Sequence, residues 1–156
     1  MTVAEKLVAL LQAQGLTCAT AESCTGGGVG SAITAVPGSS AVFAGGVISY
    51  ANDVKERVLG VAPETLATVG AVSAETAAQM AAGARRLLGT DLAVSVTGIA
   101  GPDGGSDAKP VGLVWFGLAT AAGTRTEKCL FCGDRAHVRE QAVIHALGML
   151  TVAVGE

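Results

Sequence analysis

A chain of 156 residues, half of them apolar and 15% charged, is the size of one domain with a core of its own and too apolar to be a disordered segment. The formal net charge of −3 and the lack of any lysine or arginine run exclude a nucleic-acid face built on charge, but not a small anionic ligand held by one or two local cations. No apolar run approaches the ~20 residues of a membrane span, so neither nucleic acid nor membrane is an expected partner.

In chain order, Val3 to Gln14 reads as a helix, with Val3, Leu7, Val8, Leu10 and Leu11 on its apolar stripe and Gly15 ending it. Glu5 precedes the apolar run Leu7–Leu11, and Gln12, Gln14 and Gly15 break it, which fits an amphipathic helix better than a signal peptide. Thr17 to Ala21 is a β-leaning run, followed by a loop from Ser23 to Gly30, a short helix over Ser31–Val36 stopped by Pro37, and a turn at Pro37–Ser40. Val42 to Tyr50 is strand-like. Asn52 is expected to cap a short helix carrying Lys55, Val58 and Leu59, closed by Gly60. Pro63 to Val69 opens another helix, and Ser73 caps a longer one that runs to about Leu88 before Gly89.

Leu92 to Gly98 is apolar and rich in β-branched residues, as a strand covered on both faces should be. The stretch from Gly98 to Pro110 can only be a loop. Val111–Thr120 and Thr124–Cys132 then form a hairpin around Ala121–Gly123, and Asp134 caps a last helix through about Val154. Helices alternating with strands, plus one late hairpin, predict an α/β fold: a single three-layer α/β/α domain over residues 1–156 with a mixed central sheet. The 22 glycines and few large side chains suit close helix–sheet packing, although a GC-rich coding sequence would give the same bias.

Four cysteines with no signal sequence imply reduced thiols and a cytoplasmic protein. Cys129 and Cys132 have the C-x-x-C spacing of half a zinc site. Cys18 and Cys24 are wrongly spaced for the other half, and His137 and His145 do not complete it, so no metal is expected. Both Cys129 and Cys132 read as buried structural residues of a strand.

Three segments carry residues that packing does not explain. The first is "SCTGGG", Ser23 to Gly28. A serine lifted above a strand end, with glycine-rich backbone behind it, suits attack on a carbonyl and capture of the oxyanion by N–H groups. The same serine before glycines also suits a helix N-cap. The second is "SYANDVK", Ser49 to Lys55. With both histidines in the last helix, Lys55 is the remaining base for a serine, provided burial lowers its pKa; otherwise it is a solvated helix lysine. The third is the loop Thr97–Gly105, which follows a buried strand where α/β folds bind ligands, yet has neither a P-loop nor a dinucleotide fingerprint. Arg135 and Arg139, four apart, share one helix face, where arginine forks suit phosphate or carboxylate and solvation is the plain alternative.

"AESCTGG", "SYANDVKERVLGV", "GAVS", "TGIAGPDGGSDAKPVGLVWF" and "GDRAHVREQAV", in that order and over nearly the whole chain, resemble the CinA C-terminal domain family, whose enzymatic members are nicotinamide-nucleotide amidohydrolases. The resemblance implies hydrolysis of the carboxamide of nicotinamide mononucleotide to nicotinate mononucleotide and ammonia, without metal or redox cofactor. It implies a serine nucleophile, Ser23, with Lys55 as its base and Tyr50 positioning the lysine or protonating the departing ammonia. The turn Cys24, Thr25, Gly26 and Gly27 would supply oxyanion donors. Gly46, Thr97 and Ala100 would wall the pocket, and the loop Thr97–Gly105, with Gly98 and Gly101, and Arg135 would lie near the nucleotide and its phosphate. The implied partner is a small pyridine nucleotide, and the implied assembly a homo-oligomer, a dimer first. Two rival readings stand beside it: a catalytically silent binding or interaction domain of the same fold, and a cysteine hydrolase using Cys24.

Overall fold

The computed structural model describes residues 1–155. Helix α1 (Val3–Gln14) leads into strand β1 (Cys18–Glu22), helix α2 (Gly28–Thr34) and a single 3-10 turn at Ser39–Ala41. Strand β2 (Phe43–Ile48) is followed by helices α3 (Asn52–Leu59), α4 (Pro63–Thr68) and α5 (Ala74–Leu88). Strands β3 (Leu92–Gly98), β4 (Leu113–Thr120) and β5 (Gly123–Leu130) precede helix α6 (Arg135–Gly155).

The five strands form one mixed sheet in the order β2-β1-β3-β4-β5. β1 runs parallel to both β2 and β3, while β3–β4 and β4–β5 are antiparallel. Helices α1, α2 and α6 cover one face. α5 lies across the other, with α3 and α4 packed against it. This is the expected α/β/α layering. Every residue of β1 is buried, as a central parallel strand covered on both sides must be.

Alternation along the strands divides the core. Cys18, Val94, Val96, Val114, Phe116 and Leu118 meet Leu7 and Leu11 of α1, Ile33 of α2, and Val138 and Leu150 of α6. At about 1.5–3 kcal/mol for each large side chain fully buried, this layer supplies the larger hydrophobic share. The opposite face is made of Ala19, Ala21 and Ala93 against Leu59, Val61, Met80 and Ala84. Its small residues have a structural use. A Cβ on Gly117 would run into the Ala77 carbonyl, and one on Gly83 into the Leu59 carbonyl, so α5 lies closer to the sheet and to α3 than larger residues permit.

Local signals explain the helix ends. Thr2 and Glu5 form a reciprocal capping box at α1, and Gly15 closes it in the left-handed conformation. Ser73 caps α5 through the Thr76 amide, and Asp134 accepts from the His137 amide at 3.0 Å. Three expectations are corrected. Asn52 does not cap α3. It is the first helical residue, and Ala51 holds the extended cap position without a side-chain bond. Helix α2 begins at Gly28 rather than Ser31, because the Glu22 carboxylate takes the amides of Val29 and Gly30 at 2.8 and 3.0 Å. Strand β5 ends at Leu130, so Cys132 is exposed and not a buried strand residue; Cys129 is half-buried beside His145. Among the described residues, no helix is long and apolar enough to cross a membrane.

Candidate active site

The three parallel strands all end on one side of the molecule, where ligands of open α/β sheets collect. Ser23 follows β1 and Ser49 and Tyr50 follow β2. Gly98 and Ala100 lie at and beyond the end of β3. The first turn of α3 brings in Lys55, and the first residue of α6 is Arg135. These segments enclose a cleft of about 210 Å³ lined by Ser23, Cys24, Tyr50, Asn52, Lys55, Ala71, Val72, Thr97, Gly98, Ala100 and Arg135.

Lys55 is the center of the polar geometry. It is 1% exposed, and its Nζ contacts three oxygens: the Ser49 carbonyl at 2.6 Å, the Ser23 Oγ at 3.0 Å and the Tyr50 carbonyl at 3.2 Å. Burial lowers its pKa to about 8, and the neighbouring Cys24 pulls slightly the other way. A neutral amine has two N–H donors and one lone pair. Two carbonyls take the two protons, which leaves the lone pair for the Ser23 hydroxyl. The pair is therefore arranged for proton transfer from Ser23 to Lys55. Lys55 is held by backbone carbonyls, and among the described residues the Tyr50 hydroxyl makes no hydrogen bond to it.

Tyr50 is 64% exposed, and its hydroxyl accepts from Nη2 of Arg135 at 3.3 Å. Nη1 of the same guanidinium donates to the Gly101 carbonyl at 2.8 Å. Arg135 thus ties the strand-β2 side of the cleft to the loop after β3. The Thr97 hydroxyl donates to the Ala71 carbonyl at 2.9 Å, which holds the segment between α4 and α5 as the remaining wall.

The turn after Ser23 has positive φ at Gly26 (59°) and Gly27 (104°), a region only glycine occupies without strain. The Ser23 amide is spent on Val96 O, Gly26 N on Ser23 O, and Gly28 N on Thr25 O. Arg139 donates to the carbonyls of Cys24 and Thr25 at 3.0 and 3.3 Å. Among the described residues, the amides of Cys24, Thr25 and Gly27 donate to no other residue, and the Thr25 hydroxyl is buried without a partner. Of these, only Cys24 lines the cleft. Its thiol is buried, and burial raises its pKa to about 11, so it stays a protonated thiol at neutral pH.

Of the residues singled out from the sequence, Ser23, Cys24, Tyr50, Lys55, Thr97, Gly98, Ala100 and Arg135 meet in the cleft. Gly101 contributes its carbonyl to Arg135. Thr25, Gly26 and Gly27 shape the turn from behind. Gly46 stands in β2 against Thr20; there it lets the two strands pack rather than walling the cleft. Asn52, Ala71 and Val72 were not foreseen as lining residues. A larger groove of about 740 Å³ lies on the other side of Val72, on the hairpin face carrying Trp115 and Lys128; it contains none of Ser23, Tyr50 or Lys55.

Fold and site together define an α/β domain with a buried serine–lysine pair at the carboxyl ends of three parallel strands. The chain belongs to the CinA C-terminal domain family, whose model matches residues 1–154. It is 50% identical over 151 residues to the nicotinamide-nucleotide amidohydrolase PncC of Escherichia coli (strain K12), covering 96% of this chain and 92% of that protein. It is 51% identical over 149 residues to a CinA-like protein of Geobacter sulfurreducens, of which it spans 36% of the length. The crystal structure of the competence/damage inducible protein CihA from Agrobacterium tumefaciens is 44% identical and superposes with a TM-score of 0.95, over 99% of this chain and 94% of that one.

Proposed function

We propose that this protein is a nicotinamide-nucleotide amidohydrolase that converts nicotinamide mononucleotide to nicotinate mononucleotide and ammonia. The observation that carries the reading is the 3.0 Å contact between Ser23 Oγ and a buried Lys55 whose pKa lies at about 8. Similarity to the E. coli amidohydrolase over nearly the full length of both chains supports the substrate.

Neutral Lys55 takes the Ser23 proton as Oγ attacks the amide carbon. The oxyanion that forms accepts from the Cys24 amide, which among the described residues donates to no other residue and belongs to a residue lining the cleft. Protonated Lys55 returns its proton to the leaving nitrogen, the C–N bond breaks, and ammonia departs from a nicotinoyl ester of Ser23. Water, deprotonated by Lys55, then attacks the ester and regenerates the hydroxyl. The carboxamide end occupies the 210 Å³ cleft. A neighbouring recess of about 530 Å³ is lined by Ala100, Pro102, Val111 and residues 133–136. It shares Ala100 and Arg135 with the cleft, and takes the phosphoribosyl part with Arg135 as the cation. Tyr50 stands at the mouth of the cleft, where its hydroxyl accepts from Arg135 and its carbonyl accepts from Lys55.

Incubation with nicotinamide mononucleotide tests the reading: wild type releases ammonia and Ser23→Ala does not. Release no faster than the Ser23→Ala control, with the mononucleotide unchanged after long incubation, overturns it. A homo-oligomer, a dimer first, is the proposed assembly, and a monomeric mass by light scattering at micromolar concentration contradicts it.

A further inference from the structure

Glu22 is the last residue of β1, next to Ser23, and is 2% exposed. A buried carboxylate is costly unless its charge is met. No lysine or arginine pairs with it among the described residues. Its charge is met instead by the first turn of α2: Oε1 accepts from Val29 N at 2.8 Å and Oε2 from Gly30 N at 3.0 Å. This is an unusual way to cap a helix. The cap position itself is Gly27, which has no side chain to do it, and the task falls to a residue seven and eight positions back.

The consequence lies in what the bonds enclose. Residues 23–28 form a turn containing two positive-φ glycines, and a glycine turn loses more conformational entropy on ordering than any other. Glu22 fixes both ends of it. Its backbone belongs to the sheet, and its carboxylate fastens the far end. The Glu22 carbonyl also accepts from Ser49 N at 2.7 Å, and the carbonyl of Ser49 is the closest partner of Lys55 Nζ, at 2.6 Å. One residue therefore anchors the turn that carries the nucleophile and, through its main chain, the peptide that aims the base.

We propose that Glu22 is a positioning residue for the serine–lysine pair: its carboxylate holds Ser23 Oγ and the uncommitted turn amides in register with Lys55, and contributes to turnover rather than to substrate affinity. The proposal rests on the amidohydrolase reading. A nucleophile displaced by about an ångström loses on the order of a hundredfold in rate.

The test compares Glu22→Gln and Glu22→Asp with wild type and Ser23→Ala. A glutamine accepts one amide and opposes the other with its own N–H groups, while an aspartate keeps the charge but falls one methylene short. In Glu22→Gln, kcat for nicotinamide mononucleotide falls about tenfold to a hundredfold while KM stays within about twofold. The rate at which an alkyl fluorophosphonate modifies Ser23 falls in parallel. Glu22→Asp lies between Glu22→Gln and wild type, and secures the comparison if Glu22→Gln folds poorly. Assays run where circular dichroism shows each variant folded. A folded Glu22→Gln with unchanged kcat, or with raised KM at unchanged kcat, overturns the proposal. If Ser23→Ala keeps full activity, the amidohydrolase mechanism itself has failed; if Ser23→Ala is inactive and the Glu22 variants match wild type, only the role of Glu22 has failed.

Discussion

Lys55 gives its shortest hydrogen bond, 2.6 Å, to the carbonyl of Ser49, and the bond to the Ser23 hydroxyl is 3.0 Å. The lysine is thus held by main chain and shares its remaining contact with the Ser23 hydroxyl, so two backbone carbonyls set its aim.

The pH profile of kcat/KM follows from that burial. In the proposed mechanism only neutral Lys55 accepts the Ser23 proton, and burial lowers its pKa to about 8. Activity therefore climbs about tenfold per pH unit below that value and levels off above it. The sign is fixed: lowering a lysine pKa enlarges the neutral fraction at neutral pH, to roughly one molecule in ten at pH 7. Lys55→Arg stays protonated throughout, and is expected to lose at least about a thousandfold in kcat with no ascending limb near pH 8. A rate independent of pH between 6 and 9 in wild type counts against Lys55 as the base.

Arg135 joins Gly101 O to the Tyr50 hydroxyl and lines both the cleft and the recess beside it. Arg135→Ala removes a charge-assisted contact of about 1.5–3 kcal/mol, so KM for the mononucleotide rises about tenfold to a hundredfold. A substrate lacking the phosphate, nicotinamide riboside, loses little on the same substitution. Steady-state kinetics on the two substrates separates this from a general loss of structure.

Thiol chemistry discriminates between Ser23 and its neighbour. Cys18 and Cys24 are buried, and burial lifts their pKa values to about 12 and about 11. Cys132 is exposed. Iodoacetamide at pH 8 is expected to label Cys132 first and leave Cys18 and Cys24 unmodified in the folded protein, with activity retained. Rapid labelling of Cys24 accompanied by inactivation would revive the cysteine-hydrolase reading.

Gly83→Ala probes the tight face of the fold, away from the cleft. A Cβ at that position runs into the Leu59 carbonyl at the end of α3, and backbone cannot swing aside as a side chain can. A loss of about 1–3 kcal/mol in unfolding free energy is expected. Urea denaturation measures it, and a stability equal to wild type contradicts the close approach of α3 and α5.

Much of this was legible in the sequence, for identifiable reasons. The apolar period of Leu7, Val8 and Leu11, the β-branched run at Leu92–Gly98, and the Gly15 and Gly89 stops act locally, so α1, β3 and α5 read within a residue or two of their true ends. Ser23, Lys55 and Arg135 stood out because packing did not explain them. The early start of α2 was hidden, because its cap comes from Glu22, at a distance outside any local capping pattern. Ala71 and Val72 reach the cleft through long-range bonds that hold their segment, from Thr97 to Ala71 and from Lys109 to Val69. Tyr50 was expected to position Lys55 or to protonate the departing ammonia; its carbonyl accepts from Lys55, while its hydroxyl accepts from Arg135, a division between main chain and side chain that the sequence pattern does not carry. Cys129 and Cys132 share a spacing but not an environment, since β5 ends between them.

The central claim, that Ser23 is the nucleophile, is tested most directly by mass spectrometry of enzyme quenched in acid during turnover of nicotinamide mononucleotide. The expected result is the nicotinoyl mononucleotide ester on Ser23, absent from Ser23→Ala. The same adduct on Cys24, or undiminished ammonia release by Ser23→Ala, would contradict it.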